Sequence, residues 1–188
     1  MSHRQPKSNQ VWILISFLAL WSPQRILVDD LGHHLKLEHP PQRIISLAPN
    51  ITEILFSLEL EDRLIAVTQF CNFPPEARKK PNIGGYINPQ LEKIISFNPD
   101  LILGFRGNPL PLIQQLRSLH LPIFVLDEGK SILSLLALIR RLGEVTFQEK
   151  KAAVLISQIK NQLNRLNQII SPTTRRPRVL LLLAGPQL

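Results

Sequence analysis

Four short apolar runs alternate with helix-length amphipathic segments between Arg43 and Gly143, and this alternation restricts the chain to few folds. The runs are RIISLAP, RLIAVT, PDLILGF and LPIFVLD. Each contains few polar residues, as a strand does when both faces of its sheet are covered. The segments between them read as helices: ITEILFSLEL, a short turn in PPEARKK, PQLEKIISF, PLPLIQQLRSLH and SILSLLALIRRLG. Strands separated by helices of this length specify a parallel sheet with right-handed crossovers. Local signals mark the ends. Asn50, with Glu53 three residues on, reads as a capping box for the first helix, and Ser131 as the cap of the last, which Gly143 is expected to end.

Two flanking regions depart from this rhythm. RILVDDLGHHLKLEH holds two apolar stretches around Asp30–Gly32, the pattern of a hairpin. From Thr146 to Ile170 there is neither Gly nor Pro, and Ala152, Ile156, Ile159, Leu163, Leu166 and Ile170 recur at three- or four-residue steps. That spacing predicts one long amphipathic helix with a single apolar stripe. SPTTRRP then reads as a linker. The run from Val179 to Ala184, five of its six residues branched aliphatics, reads as another buried strand.

Composition adds two constraints. A formal charge of +8 raises an anionic partner, but the basic residues are scattered and form no stripe, so nucleic acid is not expected. The chain begins with a basic stretch, the apolar block VWILISFLAL and a WSPQ break, which match the first two regions of a secretory signal. Export is therefore expected, with an uncleaved N-terminal membrane segment as the alternative. The single cysteine, Cys71, forms no internal disulfide.

Familiar reaction motifs are missing: no phosphate-binding loop, no G-x-G-x-x-G after a strand, no H-E-x-x-H and no C-x-x-C. Neither a catalytic site, a resident cofactor nor a metal site is expected. The loops at the carboxyl ends of the strands are more informative, because open parallel sheets bind ligands there. They carry QFCNFPP, GGYINPQLE and RGNP, bringing Phe70, Tyr86 and Arg106 toward one crevice. Aromatic walls with a few polar anchors suit a large planar or amphipathic ligand.

The ordered strings SLAPNITEILF, CNFPPEA, GGYINPQLEKI and NPDLIL resemble the N-terminal lobe of class III periplasmic binding proteins, from about Arg25 to the chain end. These receptors deliver cobalamin, iron-siderophore or haem to ABC importers. The resemblance implies two Rossmann-like α/β lobes joined by one rigid helix, with ligand between them. It divides the chain into an N-terminal extension (1–24), a first lobe (25–145), a connector helix (146–171), and a linker with the first strand of an incomplete second lobe (172–188). It also implies that Phe70 and Tyr86 stack on ligand, that Arg106 and Gly107 line the cleft, and that Glu92 pairs with arginines of a permease. The expected function is an exported solute-binding component taking cobalamin or an iron chelate, in truncated form. The alternative is a single-lobe interaction or sensory module.

Overall fold

A computed structural model describes residues 24–170 and 178–180. The N-terminal apolar block and most of the run from Val179 lie outside the described residues. Arg178–Leu180 carry no regular structure and are exposed.

The hairpin forms as its turn residues require. Strands β1 (Arg25–Val28) and β2 (His34–Leu37) pair antiparallel, with Val28 opposite His34. The turn is organised by Asp29, whose carboxylate accepts from the Leu31 and His33 amides at 2.9 and 2.8 Å.

The main sheet contains β3 (Ile44–Ser46), β4 (Leu64–Val67), β5 (Leu101–Phe105) and β6 (Ile123–Leu126), in the order β4-β3-β5-β6. All its pairings are parallel. The helices are α1 (Pro49–Ser57), α2 (Leu91–Ser96), α3 (Leu110–Ser118), α4 (Ile132–Thr146) and α5 (Glu149–Ile170). A 3₁₀ turn covers Pro75–Lys79.

Because side chains alternate across a strand, the apolar runs feed two cores. Ile44, Leu64, Leu101, Leu103, Phe124 and Leu126 face α1, α4 and the start of α5. Ile45, Ala66, Ile102, Ile123 and Val125 face Ile94 of α2 with Ile113 and Leu116 of α3. Each fully buried aliphatic side chain contributes about 1.5–3 kcal/mol.

The amino-terminal edge of the sheet is fixed by Asp100 of the NPDLIL string. Its carboxylate accepts from the Gln42 and Arg43 amides at 2.7 and 2.8 Å, while the Arg43 guanidinium donates to the Asn98 carbonyl at 3.0 Å. This ties the entry to β3 to the entry to β5.

Three local expectations are corrected. Helix α1 begins at Pro49, with Ala48 as an extended N-cap that makes no side-chain bond, so Asn50 and Glu53 do not form a capping box. Proline at the first position supplies the helical φ angle and removes one amide that a cap would have served. Ser131 does cap α4, through a reciprocal bond with Ser134.

Gly143 does not end α4; it lies inside it, and a Cβ there would stand 2.5 Å from the Ala152 Cβ. The glycine permits close approach of α5. Nor does one helix begin at Thr146: Phe147 takes a left-handed conformation (φ 60°), and α5 starts afresh at Glu149. At 22 residues α5 is about 33 Å long by the standard rise. Its predicted stripe is used only in its first half. Ala152 is buried and Ile156 and Ile159 pack on the core, whereas Leu166 and Ile170 are at least half exposed. No described helix is long and apolar enough to cross a membrane.

Candidate functional site

The loops leaving the carboxyl ends of the sheet build an open crevice of about 470 Å³, lined by Ala48, Pro49, Asn50, Tyr86, Phe105, Gly107 and Glu128. Its walls come from the segments after β3, β4, β5 and β6. No single segment could form it.

The loop after β4 is held beside the sheet by backbone pairing. The Val67 amide donates to Pro81 and the Ile83 amide to Val67, both at 3.0 Å, and the Gln69 amide donates to Gly84 at 2.9 Å. Gly84 sits at φ +97°, a conformation that side chains resist. The chain there turns Tyr86 back toward Phe70. The two rings meet edge to face with centroids 5.5 Å apart, and Tyr86 lies 6.0 Å from Phe105. The result is a row of Phe70, Tyr86 and Phe105. Phe70 is 47% exposed, so part of its ring remains open to solvent.

Asn108, only 3% exposed, holds the row in place. Its side-chain oxygen accepts from the Phe105 amide at 2.9 Å, and its amide donates to the Tyr86 carbonyl at 2.9 Å and the Leu47 carbonyl at 3.4 Å. One side chain thereby fixes the ends of β3 and β5 and the glycine-rich loop. Behind the crevice, Thr52 donates to the Ala48 carbonyl at 3.1 Å, and its hydroxyl also lies 3.1 Å from the buried Cys71 sulfur. Cys71 is therefore part of a small polar contact that shapes the loop.

Gly107 lies between the Phe105 ring and the Glu128 carboxylate. A Cβ at this position would stand 2.2 Å from Phe105 Cε2 and 2.8 Å from Glu128 Oε1. Only hydrogen fits.

Of the residues singled out from the sequence, Tyr86 and Gly107 line this crevice, and Phe70, not itself a lining residue, packs against Tyr86. Arg106 is not among the lining residues. Its guanidinium pairs with Asp127 at 2.8 Å and donates to the Asp30 carbonyl. Glu92 is exposed in the first turn of α2 and is not a lining residue of the crevice. Reading the sequence missed Phe105, Asn108, Asn50 and Glu128. The only signals for them were an aromatic closing the β5 run, an Asn-Pro turn, and an asparagine read as a cap; Glu128 had none.

Comparison with known proteins agrees with this architecture. The profile of the periplasmic binding protein family matches residues 44–188. The vitamin B12-binding protein of Pectobacterium carotovorum is 35% identical over 127 residues, 67% of this chain and 46% of that protein. An ABC transporter substrate-binding lipoprotein of Bacillus subtilis is 29% identical over 147 residues, 76% of this chain and 46% of that one. Among solved structures, the periplasmic vitamin B12 binding protein of Vibrio cholerae aligns with TM-score 0.62 and 29% identity, covering 70% of this chain and 52% of that one. The apo periplasmic heme-binding protein of Roseiflexus aligns with TM-score 0.67 and 27% identity, covering 72% and 52%. The chain thus spans about half the length of the curated relatives it matches. With its parallel sheet, its crevice at the carboxyl ends of the strands and a family match that runs from β3 to the final residue, this chain belongs to the periplasmic binding protein family.

Proposed function

We propose that the chain supplies one ligand-binding lobe of an exported solute-binding component of an ABC importer, taking cobalamin or an iron chelate such as haem or a siderophore. The observation that carries the proposal is the aromatic row of Phe70, Tyr86 and Phe105, of which Tyr86 and Phe105 line one crevice at the carboxyl edge of the sheet. Rings presented in this way bind a large planar ligand by dispersion and area burial, without covalent chemistry. The names of the relatives support the ligand class and the importer. Their periplasmic description supports export.

In this reading Phe70 and Tyr86 contact ligand and Gly107 keeps the crevice floor low. Arg106 acts through its ion pair with Asp127 at the rim. The exposed Glu92 carboxylate offers a point of charge pairing for arginines of a permease, which would set orientation and encounter rate more than affinity.

The test is equilibrium dialysis of the purified chain against cyanocobalamin and against haemin, with Tyr86→Ala in parallel. One open crevice leaves much of such a ligand wet, so weak binding of at least one probe is expected, with a further loss in the variant. Binding unaffected by Tyr86→Ala would sink the site assignment. A second reading, a single-lobe interaction module, draws on the exposed Leu166, Ile169 and Ile170 of α5. A strictly monomeric chain by light scattering counts against it.

A further inference from the structure

Helices α4 and α5 border a second open groove, of about 520 Å³, which shares no lining residue with the crevice. The two helices pack closely where Gly143 meets Ala152. Beyond that point α5 presents the short side chains of Ala153 and Ser157 beside Ile156. Side chains this short leave the space between the helices open. Ile156 packs partly on the core and also lines the groove, so the floor is apolar.

The chain enters its described part at the mouth of this groove. The Arg25 guanidinium donates to the Glu144 carbonyl at 2.7 Å, pairs with the Glu149 carboxylate and lies over the Phe147 ring at 3.8 Å. Glu144 and Glu149 are both lining residues. Directly upstream of Arg25 come the link 21–24 and the uncharged apolar block 11–20. At about 3.5 Å per extended residue, that link reaches about 14 Å at most. The groove runs about 17 Å along α5 from Glu149 to Lys160, at the standard helical rise. The near end of the block is therefore held within reach of the groove floor.

A tether this short sets a local concentration in the millimolar range, which any separate partner must exceed. Leaving the block in water costs about 25 cal/mol for each Å² of its apolar surface. We propose that, in a chain that keeps its N-terminus, this groove holds the apolar block 11–20 of the same molecule, seated on Ile156 beside Ala153 and Ser157. The inference is independent of what the crevice binds.

Tryptophan emission reads the block directly, because Trp12 and Trp21 are the two tryptophans of the chain. The full chain, its N-terminus verified by intact mass, is measured in dilute lipid-free buffer for emission wavelength and acrylamide quenching. Ala153→Glu and Ser157→Glu put a charge into the groove at exposed positions, and Gln158→Glu puts the same charge on α5 outside it. The parent and Gln158→Glu should emit toward the blue, with weak quenching at every concentration. Both groove variants should shift to the red and quench more strongly while far-UV circular dichroism stays unchanged. Red, strongly quenched emission in the parent overturns the proposal. So does blue emission that both groove variants retain, or that fades on dilution and marks a second copy as the occupant. Emission that turns blue only with added phosphatidylglycerol vesicles overturns it too, in favour of the bilayer.

Discussion

The Asn108 side-chain amide donates to the Tyr86 carbonyl at 2.9 Å across a separation of 22 residues. This bond joins the loop after β5 to the glycine-rich loop beside β4, so the position of the Tyr86 ring depends on a buried residue outside the crevice lining. Asn108→Ala should destabilise the fold by about 1–3 kcal/mol, because the part-buried Phe105 amide and Tyr86 carbonyl lose their partner. Urea denaturation measures the cost. Hydrogen exchange locates it: amides of residues 84–88 should exchange faster while those of β5 before Phe105 stay protected. Unchanged exchange in that loop would show that the backbone pairing with β4 holds Tyr86 alone.

Gly107→Ala tests the crevice floor. The added methyl would fall 2.2 Å from Phe105 Cε2, so the ring must turn away or the loop must shift. Overpacking of this kind costs about 1–3 kcal/mol. The expected signature is a lost cross-peak between the Tyr86 and Phe105 rings in an NMR spectrum, with weaker binding of a planar probe. A retained cross-peak with full binding would place the ligand elsewhere.

Much of the fold was legible because period and punctuation act locally. The four apolar runs became the four parallel strands, Asp30–Gly32 became the hairpin turn, and Ser131 became a cap. What failed depended on tertiary partners. Asn50 and Glu53 matched a capping box, but Pro49 starts the helix two residues earlier and frees Asn50 for the crevice. Gly143 looked like a stop, whereas it serves the close approach of Ala152. The break at Phe147 carries no glycine or proline; packing of α5 against α4 holds the left-handed residue there. In the site, loop aromatics were visible as exposed candidates in sequence. Asn108 and Glu128 gain meaning only once four strand ends are brought side by side.

The hairpin hangs on one buried carboxylate. Asp29 accepts from the Leu31, His33 and Val125 amides and pairs with Arg117 of α3, with its own side chain 1% exposed. Removing it strands three donors and a guanidinium at once. Asp29→Ala should cost about 3–5 kcal/mol, the range for breaking one side of a buried pair. Asp29→Asn should recover part of this, since its carbonyl oxygen still accepts. Chemical denaturation ranks the two. Equal loss in both would mean that charge, and not acceptor geometry, holds the hairpin to β6.

The attachment of α5 carries a pH dependence whose sign follows from Glu59 and Lys151, 2.7 Å apart. The hydrogen bond from Lys151, and then its charge, hold the Glu59 carboxyl below its ordinary value. The folded state therefore binds the proton less readily than the unfolded chain. The contribution to stability is fully present above the unfolded carboxyl value and is lost as pH falls through the lower, folded one. Glu59 is fully solvated, so the effect is small and screened by salt. Thermal melts of the parent chain and Glu59→Gln should differ near neutral pH at low ionic strength, with the parent higher. The gap should narrow progressively as pH falls below the usual carboxylate range, down to about pH 3. A difference that persists unchanged at that pH would rule out the ion pair as its source.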